Sequence, residues 1–537
     1  MKLKQIFEGR FWALILSLAA SLLLWPAQSM MPNYPKLIAL ALMIAIGLSL
    51  IGAYDLIQTR HAILRNYPII GHLRFFFEKI RPEMRQYFFE GDTDGRPFPR
   101  ERRAIVYQRA KRELDKKPFG TQSDVYADGH EWMLHSIKPT PLAKEPFRLT
   151  IGGPDCSKPY NASILNISAM SYGALSANAI RALNLGAKIG GFAHDTGEGS
   201  VSPYHREAGG DLIWEIGSGY FGCRNADGTF SDEKFATAAI DPQIKMIEIK
   251  ISQGAKPGHG GVLPGAKVTA EIAEIRGVEI GMDCISPAAH SAFSTPKELI
   301  QFVDRLRKLS GGKPTGFKLC IGHKQEFLSI VKAMLELNLS PDFIVIDGKE
   351  GGTGAAPAEF IDNIGMPLRD GLAFVHSALV GAGLRDNIKL GCAGKIITGF
   401  DMARALALGA DWCNVARGFM FAVGCIQAQT CHTGHCPTGV TTQDPLRQRA
   451  IVVPSKAERV ANFHRETIKS LAEMLAAAGM SSPTELKPDH ISRRVSDGRI
   501  LTLGDQFTFL EPSALLKSNA PVEFTEIWEA AQSDHFG

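Results

Sequence analysis

Short apolar runs with the composition of β-strands alternate with helix-like patterns between about residues 150 and 440 of this 537-residue chain. Eight repeats of a strand followed by a helix predict an α/β fold, a closed (β/α)8 TIM barrel. A doubly wound open sheet is the alternative, but it would require a Gly-rich dinucleotide-binding turn after an early strand, which the sequence lacks. The predicted strands are ILNISA (164–169), GFAHD (191–195), IKMIEIKIS (244–252), MDCIS (282–286), GFKLCI (316–321), DFIVID (342–347), NIKLGCA (387–393) and DWCNVA (411–416). The predicted helices include 176–189, 266–275, 296–309, 324–337, 369–384 and 401–408.

Two Gly-containing segments follow the seventh and eighth predicted strands, GCAGK (391–395) and ARG (416–418). TIM barrels commonly bind a phosphate with the loops after these two strands. Glycine lets backbone N–H groups approach an anion, and Lys or Arg adds positive charge. The two segments therefore predict a phosphate site, although each alone is also compatible with an ordinary turn.

Two lysines, Lys250 and Lys318, interrupt otherwise apolar strand runs. A lysine inside a packed barrel needs a polar or charged partner, whereas an outward lysine can extend past a helix to solvent. Lys318 points more strongly to function because its neighbours are apolar. Glu198, Gln253 and Lys256 lie in Gly-rich loops, where they could bind a carboxylate substrate or move protons, or could simply be solvated.

Three cysteines lie in one short run, GCIQAQTCHTGHCP, and the last of them is followed by proline. The spacing of Cys425, Cys431 and Cys436 is typical of thiolates around an iron–sulfur cluster, and three thiolates favour a three-iron cluster. Zinc with His432 or His435 as a fourth ligand is one alternative, and buried structural cysteines are another. An exposed cluster requires a reducing compartment.

The N-terminal region contains two long uncharged apolar runs, 11–25 and 37–54. At about 1.5 Å per residue, each is long enough to cross most or all of a roughly 30 Å hydrocarbon layer. We expect a transmembrane hairpin. A cleaved signal peptide and a buried helical hairpin of a soluble core are the alternatives, but the second run has no role in a signal peptide.

Basic residues flank the outer ends of the two runs, whereas the connecting loop has only Lys36. The positive-inside rule then places both ends and the rest of the chain in the cytoplasm. The expected location is the inner membrane of the cell, with a multi-pass N-terminal anchor in contact with lipid. The flanking basic residues are Lys2, Lys4, Arg10, Arg60 and Arg65.

The formal net charge of +4 is too small to indicate a nucleic-acid partner, and nine cysteines in so long a chain do not make a disulfide scaffold.

These patterns divide the chain into four expected segments. The segments are a transmembrane hairpin (1–59), a juxtamembrane extension that packs on the barrel (60–149), the barrel with its cysteine loop (150–445) and a C-terminal helical extension (446–537).

Five motifs in the order SAMSYGALS, TGEG, IKISQGAKPGHGGVLPG, GGTGAAP and GCIQAQTCHTGHCPTGV resemble the synthase domain of glutamate synthase. The resemblance covers about residues 150–480 and implies an FMN-binding barrel with a three-iron four-sulfur (3Fe-4S) cluster. Within this family, the sequence most resembles the stand-alone synthase-domain proteins that lack a glutaminase domain.

The resemblance also implies roles for individual residues. The residues that would bind the flavin and its phosphate are Met170, Ser171, Gly173, Gln253, Lys318, Gly351, Gly352, Gly394, Lys395, Arg417 and Gly418. The catalytic residues would be Glu198, Gln253, Lys256 and Lys318, of which the first three would face the 2-oxo acid and its imine. The cluster ligands would be Cys425, Cys431 and Cys436.

The sequence departs from the family pattern at three places. No cysteine precedes Cys156, so the N-terminal nucleophile of a glutaminase domain is not expected. His259 stands where the family usually has Glu, and DGKE (347–350) replaces Ser-Gly-His-Asp. These departures leave the substrate open.

The expected function is that of a glutamate synthase-type oxidoreductase. Electrons enter singly at the cluster and pass to FMN, and reduced FMN transfers hydride to an imine formed from a 2-oxo acid and ammonia or an amine. 2-Oxoglutarate plus ammonia, giving glutamate, is the leading case. Because no NAD or FAD fingerprint is present, the electron donor is expected to be a separate protein such as ferredoxin, or a membrane partner. The alternatives are a membrane-tethered flavin and iron–sulfur electron-transfer protein acting on another substrate, and a non-catalytic assembly protein.

Overall fold

A computed structural model describes residues 9–537, apart from the side chain of Asp497, so Lys2 and Lys4 lie outside the described residues. The chain divides into two compact units, the first ending at Gly95 and the second spanning Arg96–Gly537. We describe each unit by itself.

The second unit is built on a closed barrel of eight parallel strands in sequential order. The barrel closes because β8 pairs with β1, with Cys413 opposite Leu165 and Val415 opposite Ile167. The strands are β1 Leu165–Ile167, β2 His194–Asp195, β3 Leu212–Ile216, β4 Ile244–Lys250, β5 Thr315–Leu319, β6 Phe343–Asp347, β7 Lys389–Ala393 and β8 Trp412–Val415. The predicted TIM barrel is confirmed.

One predicted barrel strand was wrong. The run at 282–286 contributes only Cys284–Ile285, which pairs antiparallel with Val262–Leu263 outside the barrel. The third barrel strand is instead Leu212–Ile216, whose five residues are all buried. A fully buried five-residue strand has no alternation of apolar and polar residues, so periodicity alone does not distinguish it from a short apolar loop segment.

The helices that follow the strands cover the outside of the barrel. The longer ones are Ala177–Gly190, Asp232–Ala239, Pro296–Leu309, Lys324–Leu337, Leu368–Gly381, Gly399–Ala407 and Arg417–Val423. The remaining helical segments, in the loops, are Pro203–Arg206, Gly265–Lys267, Ala270–Arg276, Ala358–Asn363 and Pro445–Gln448. Five of the six predicted helices lie where the pattern placed them, to within three residues at each end. The predicted helix 266–275 is instead divided into the turn Gly265–Lys267 and the helix Ala270–Arg276.

The long helix Val453–Ala477 packs against Ala177–Gly190 and against Arg100–Lys111. Gly186 permits the close approach, since a Cβ there would lie 2.5 Å from Val460 Cγ1. His464 anchors this helix to the barrel, because its Nε2 lies 2.9 Å from Ser163 Oγ.

The remaining elements of the second unit are short. Two small sheets join the segment before the barrel to the rest of the unit, pairing Glu131–Met133 with Ile491–Arg494 and Arg148–Ile151 with Tyr160–Ser163. Ile500–Thr502 is the third strand of the first sheet. The C-terminal helices and single turns are Pro483–Glu485, Pro488–His490, Ser496–Gly498, Leu503–Gln506 and Val522–Ala530.

The first unit contains two apolar helices, Trp12–Met30 and Pro35–Ile57, that are long and apolar enough to cross a membrane. Ser49 Oγ donates a hydrogen bond to Ser17 Oγ at 3.2 Å, which links the two helices within the hairpin. In the most apolar 18-residue stretch of each helix, only 17% and 22% respectively is buried. Most of the apolar surface of these helices is therefore exposed, whereas a core helix of a soluble protein is mostly buried. These helices are candidate membrane spans. The other elements of this unit are Gly9–Phe11, Ala62–Asn66, Gly71–Met84 and the π-helical turn Arg85–Phe89.

Candidate functional site

The carboxyl ends of the barrel strands open onto a cavity of about 1230 Å³. Its walls come from the loops after β4, β6, β7 and β8, together with Phe98 from the segment before the barrel. Seven predicted cofactor residues line this one cavity: Gln253, Lys318, Gly351, Gly352, Gly394, Lys395 and Arg417. The loops that the sequence placed at a common face therefore do meet there.

Arg417 lies against the Gly-rich loop after β6. Its Nη2 donates a hydrogen bond to the carbonyl of Thr353 at 2.7 Å, and a Cβ on Gly352 would lie 2.8 Å from Arg417 Nε. Glycine at 352 is therefore needed for the guanidinium to approach the backbone. Lys395 lines the same cavity, so two cations and two glycine-containing loops share one wall.

The other four predicted cofactor residues lie elsewhere. Met170 and Ser171 line a second, smaller cavity, and Gly173 packs behind it, where a Cβ would lie 3.1 Å from Leu263 Cδ2. Gly418 is buried at the start of the helix after β8 and packs against Val415.

The smaller cavity has a volume of about 130 Å³ and is rich in cations. It shares Gln253, Arg417 and His432 with the larger cavity, so the two adjoin. Its charged lining residues are Glu198, Glu215, Lys250, Lys256, Lys267, Arg276 and Arg417. Five cations against two carboxylates make this cavity suited to an anion with one or more carboxylate groups.

Glu198 is held as a carboxylate at the wall of the smaller cavity. Lys250 Nζ lies 3.1 Å from Glu198 Oε2, and Ser286 Oγ lies 3.4 Å from the same oxygen. Burial alone would raise the pKa of Glu198, but the charges of Lys250 and Arg276 bring it below its ordinary value. A Cβ at Gly261 would collide with Glu198 Oε1, so this loop must carry glycine to leave room for the carboxylate.

Lys256 lies on the same wall. Burial and the charge of Lys250 lower the pKa of Lys256 to about 8. The ammonium therefore gives up its proton more readily than an exposed lysine does.

Lys318 points into the barrel. Its Nζ contacts Glu215 and lies 3.2 Å from Glu248 Oε1, and all three side chains are buried. Burial opposes the charged form, yet Glu215 and Glu248 raise the pKa of Lys318 well above its ordinary value. Both strand lysines thus have the inward position and the charged partner that a packed barrel requires.

The three predicted cluster cysteines line one small pocket beside the larger cavity. Tyr107 Oη donates a hydrogen bond to the carbonyl of Cys425 at 2.7 Å, and Lys267 Nζ donates one to the carbonyl of Cys431 at 3.1 Å. Burial would raise the pKa of the Cys436 thiol, but hydrogen bonds from Thr441 and Thr438 bring it to about 7.

The spacing of the three thiols bears on which metal they could hold. Within residues 9–537, the group of three possible ligands that comes within 4.8 Å of one another consists of Asp195, Glu215 and Glu248, not the cysteines. Thiolates around one zinc ion at about 2.3 Å would be closer than that. The three cysteines share a pocket without forming such a close group.

Several residues of the site were not predicted from the sequence. Glu215 was missed with its strand, and Arg276 and Lys267 lie on helical segments with no local signal. Phe98 and Tyr107 come from the segment before the barrel, which the sequence treated only as packing. Their contribution depends on contacts with residues more than 300 positions away, which no local pattern reveals.

Comparison with known proteins agrees with these observations. The family described as the conserved region in glutamate synthase matches residues 155–481. The chain is 39% identical over 486 residues to a glutamate synthase large subunit-like protein, YerD, of Bacillus subtilis, covering 83% of this chain and 92% of YerD. It is 36% identical over 321 residues to an archaeal-type glutamate synthase [NADPH] of Thermotoga neapolitana, covering 60% of each chain.

Among solved structures, a doubly substituted flavocytochrome b2 with pyruvate bound aligns with a TM-score of 0.41 and 14% identity, covering 83% of this chain and 91% of that one. The barrel itself is established by its own strand pairing. The family match covers more than half of the chain and includes the smaller cavity, the cysteine loop and all of the larger cavity except Pro97 and Phe98. The chain therefore belongs to the glutamate synthase family of oxidoreductases, in the group of synthase-domain proteins.

Proposed function

We propose that this protein is an FMN- and iron–sulfur-dependent oxidoreductase that reduces the imine of a 2-oxo acid, with 2-oxoglutarate and ammonia giving glutamate as the leading case. The observation that carries the proposal is the adjoining pair of cavities. One is large and Gly-walled, the other is small and cationic, and Gln253 lines both.

The larger cavity fits FMN in size and in charge. Its Gly351–Gly354 wall leaves room for a flat ring, and Arg417 and Lys395 supply positive charge for a phosphate. Gln253 and Lys318 would contact the ring from the barrel side. The cysteine pocket would hold a 3Fe-4S cluster through Cys425, Cys431 and Cys436. When bound, reduced FMN supplies a hydride and the cluster supplies single electrons.

The smaller cavity would bind and orient the 2-oxo acid. Lys250, Lys256 and Arg276 can pair with its carboxylates, and a substrate with two carboxylates uses more of this charge than one with a single carboxylate. Glu198 can accept hydrogen bonds from the incoming ammonia or from the imine nitrogen. Of the residues that depart from the family pattern, His259 packs edge-on against Phe360 and lines neither cavity, whereas Asp347, Lys349 and Glu350 line the larger cavity.

Electrons would come from a partner. The matched archaeal-type enzymes carry NADPH in their name, but this chain spans only 60% of their length. The donor proposed here is a separate protein such as ferredoxin, or a membrane partner.

The direct test follows the flavin spectrum under anaerobic conditions. The purified holoprotein, reduced with dithionite, should be reoxidised when 2-oxoglutarate and ammonium are added together, with glutamate formed in equal amount to the flavin oxidised. Either compound alone should leave the flavin reduced, and pyruvate with ammonium, which has one carboxylate fewer, should act at least about tenfold more slowly. Flavin that stays reduced with every 2-oxo acid and amine tested would favour the electron-transfer alternative.

We also propose that the N-terminal helices anchor the protein in the inner membrane, with the catalytic unit in the cytoplasm. The full-length protein should remain in the membrane pellet after alkaline carbonate extraction. Protease added to inside-out vesicles should release the catalytic unit, whereas intact spheroplasts should protect it. A mature protein that begins after residue 25 or that extracts into the carbonate supernatant would contradict the anchor.

A further inference from the structure

Four charged side chains from four consecutive strands converge in the barrel interior. Asp195 ends β2, Glu215 lies in β3, Glu248 in β4 and Lys318 in β5. Glu215 stands opposite Glu248 in the strand register, and one carboxylate oxygen from each of the three acids lies within 4.8 Å of the others. All four side chains are buried. We call this group the barrel charge cluster.

The barrel charge cluster has more negative than positive groups. Lys318 pairs with Glu215 and Glu248, and its ammonium takes the place that a metal cation would need. Asp195 Oδ1 accepts a hydrogen bond from the Gly197 amide at 2.9 Å, whereas Asp195 Oδ2 has no hydrogen-bond partner among the described residues. An unpaired carboxylate oxygen so deeply buried is costly unless the group binds a proton.

Neighbouring groups do not remove the imbalance. Asp347, on β6, adds a further, partly buried carboxylate, whose Oδ2 accepts a hydrogen bond from the Gly254 amide at 3.0 Å. Lys250, which also lies on β4, is engaged by Glu198. Burial and the charge of Glu215 raise the pKa of Glu248 to about 7 against the opposing effect of Lys318. Burial and the charges of Glu248 and Glu215 raise the pKa of Asp195 well above its ordinary value.

The cluster reaches both cavities. Glu215 lines the smaller, cationic cavity, and Lys318 lines the larger one. Of the three acids in the cluster, Glu215 is the one that lines the smaller cavity.

We propose that the barrel charge cluster holds one proton and delivers it, through Glu215, to the nitrogen of the bound imine. This inference rests on the proposed function. As a hydride from the proposed donor, reduced FMN, adds to the imine carbon, the π-electron pair of the C=N bond moves to nitrogen. The one proton held by Asp195 and Glu248 passes to Glu215, and Glu215 passes it on to the nitrogen, so that Glu215 is a carboxylate again at the end of the step. The cluster then regains one proton from water. Glu215 is thus a general acid that the sequence did not reveal.

The first test needs no substrate and no flavin. Infrared spectra of the full-length protein near neutral pH should show the band of a protonated carboxyl group that shifts in heavy water and disappears as the pH is raised. Glu248→Gln and Asp195→Asn should each change or remove this band, whereas Glu473→Gln, at an exposed ion pair on the helix Val453–Ala477, should leave it unchanged. Absence of the band in the unsubstituted protein would overturn the proposal.

The second test measures delivery. In the anaerobic reoxidation experiment, Glu215→Gln should slow flavin reoxidation by about 100-fold or more while flavin content stays normal, and the exposed Glu473→Gln should not slow it. An unchanged rate in Glu215→Gln would overturn delivery through this residue. If Glu215→Gln does not fold, Asp195→Asn, which keeps the residue's shape, should slow reoxidation and alter the infrared band together, and an effect on neither would overturn the proposal. Failure of the proposed function gives a different result, in which reoxidation is absent in every protein while the infrared band remains.

Discussion

Cys436→Ser is expected to abolish the iron signal of the purified protein while leaving its flavin absorbance in place. The three thiols of Cys425, Cys431 and Cys436 line one pocket, and no fourth cysteine from residues 9–537 lines it. Loss of one of three thiolate ligands removes a third of the protein bonds to the cluster, and the cluster is not expected to survive purification. Turnover driven by a one-electron donor should be lost with it. Iron content and low-temperature electron paramagnetic resonance before and after dithionite provide the measurement.

Cys156→Ser is the matched control. Cys156 is also partly buried, but its Sγ faces the carbonyl of Gly312, which precedes β5 and so lies at the end of the barrel away from the cavities. This variant should keep both iron and flavin. Normal iron content in Cys436→Ser would contradict the cluster assignment, and zinc in the unsubstituted protein in place of iron would restore the zinc alternative.

Lys318→Met is expected to lower the free energy of unfolding by about 3–5 kcal/mol near neutral pH. Removing the ammonium leaves Glu215 and Glu248 buried without their shared cation, and an uncompensated buried charge costs about this much. Methionine keeps the volume of the lysine stem, so the loss reports charge rather than a cavity. Urea unfolding followed by circular dichroism at several pH values measures the loss.

The pH dependence of this loss has a defined sign. A carboxyl group whose pKa is raised in the folded protein binds more protons there than in the unfolded chain. The free energy of unfolding therefore increases as the pH falls toward the pKa that the group has in the unfolded chain. Glu248 already has a pKa raised to about 7 from 4.5, and removal of Lys318 raises it further. The difference in free energy of unfolding between the unsubstituted protein and Lys318→Met should therefore decrease as the pH is lowered from 8 toward 5.

Two further variants separate charge from packing. Lys318→Met combined with Glu248→Gln should recover part of the lost stability, because the buried charge is removed with its partner. Lys308→Met, at an exposed lysine, should change the free energy of unfolding by less than about 0.5 kcal/mol. A pH-independent deficit in Lys318→Met would show that packing and not charge is responsible.

The sequence was sufficient for the barrel and for most of the loops at its open end, because each strand–helix repeat carries its own local pattern. It was not sufficient to tell LIWEI from MDCIS. Both are short apolar runs, yet Glu215 in the first is buried against Lys318, whereas Ile285 in the second is exposed. The two runs differ in their tertiary contacts, which a local sequence pattern does not contain.

The same limit applies to the site. Glycine loops, strand lysines and spaced cysteines are visible as residue types in the sequence, and the structure places most of them at the open end of the barrel. Three other side chains reach the site only through contacts with residues that are distant in the chain. They are those of Arg276, Phe98 and Glu248. Their roles follow only once the barrel has brought those residues together.

The pairing of β8 with β1 also determines when this protein can fold during synthesis. The barrel cannot close until Trp412–Val415 has been translated and can pair with β1 at Leu165–Ile167. Translation of the roughly 250 residues between these two strands takes on the order of tens of seconds. The candidate membrane spans between residues 12 and 57 leave the ribosome long before that point, while the barrel is still open. Cys425, Cys431 and Cys436 follow β8 directly in the chain. The pocket that these three cysteines line is therefore completed only at the last stage of synthesis, together with barrel closure.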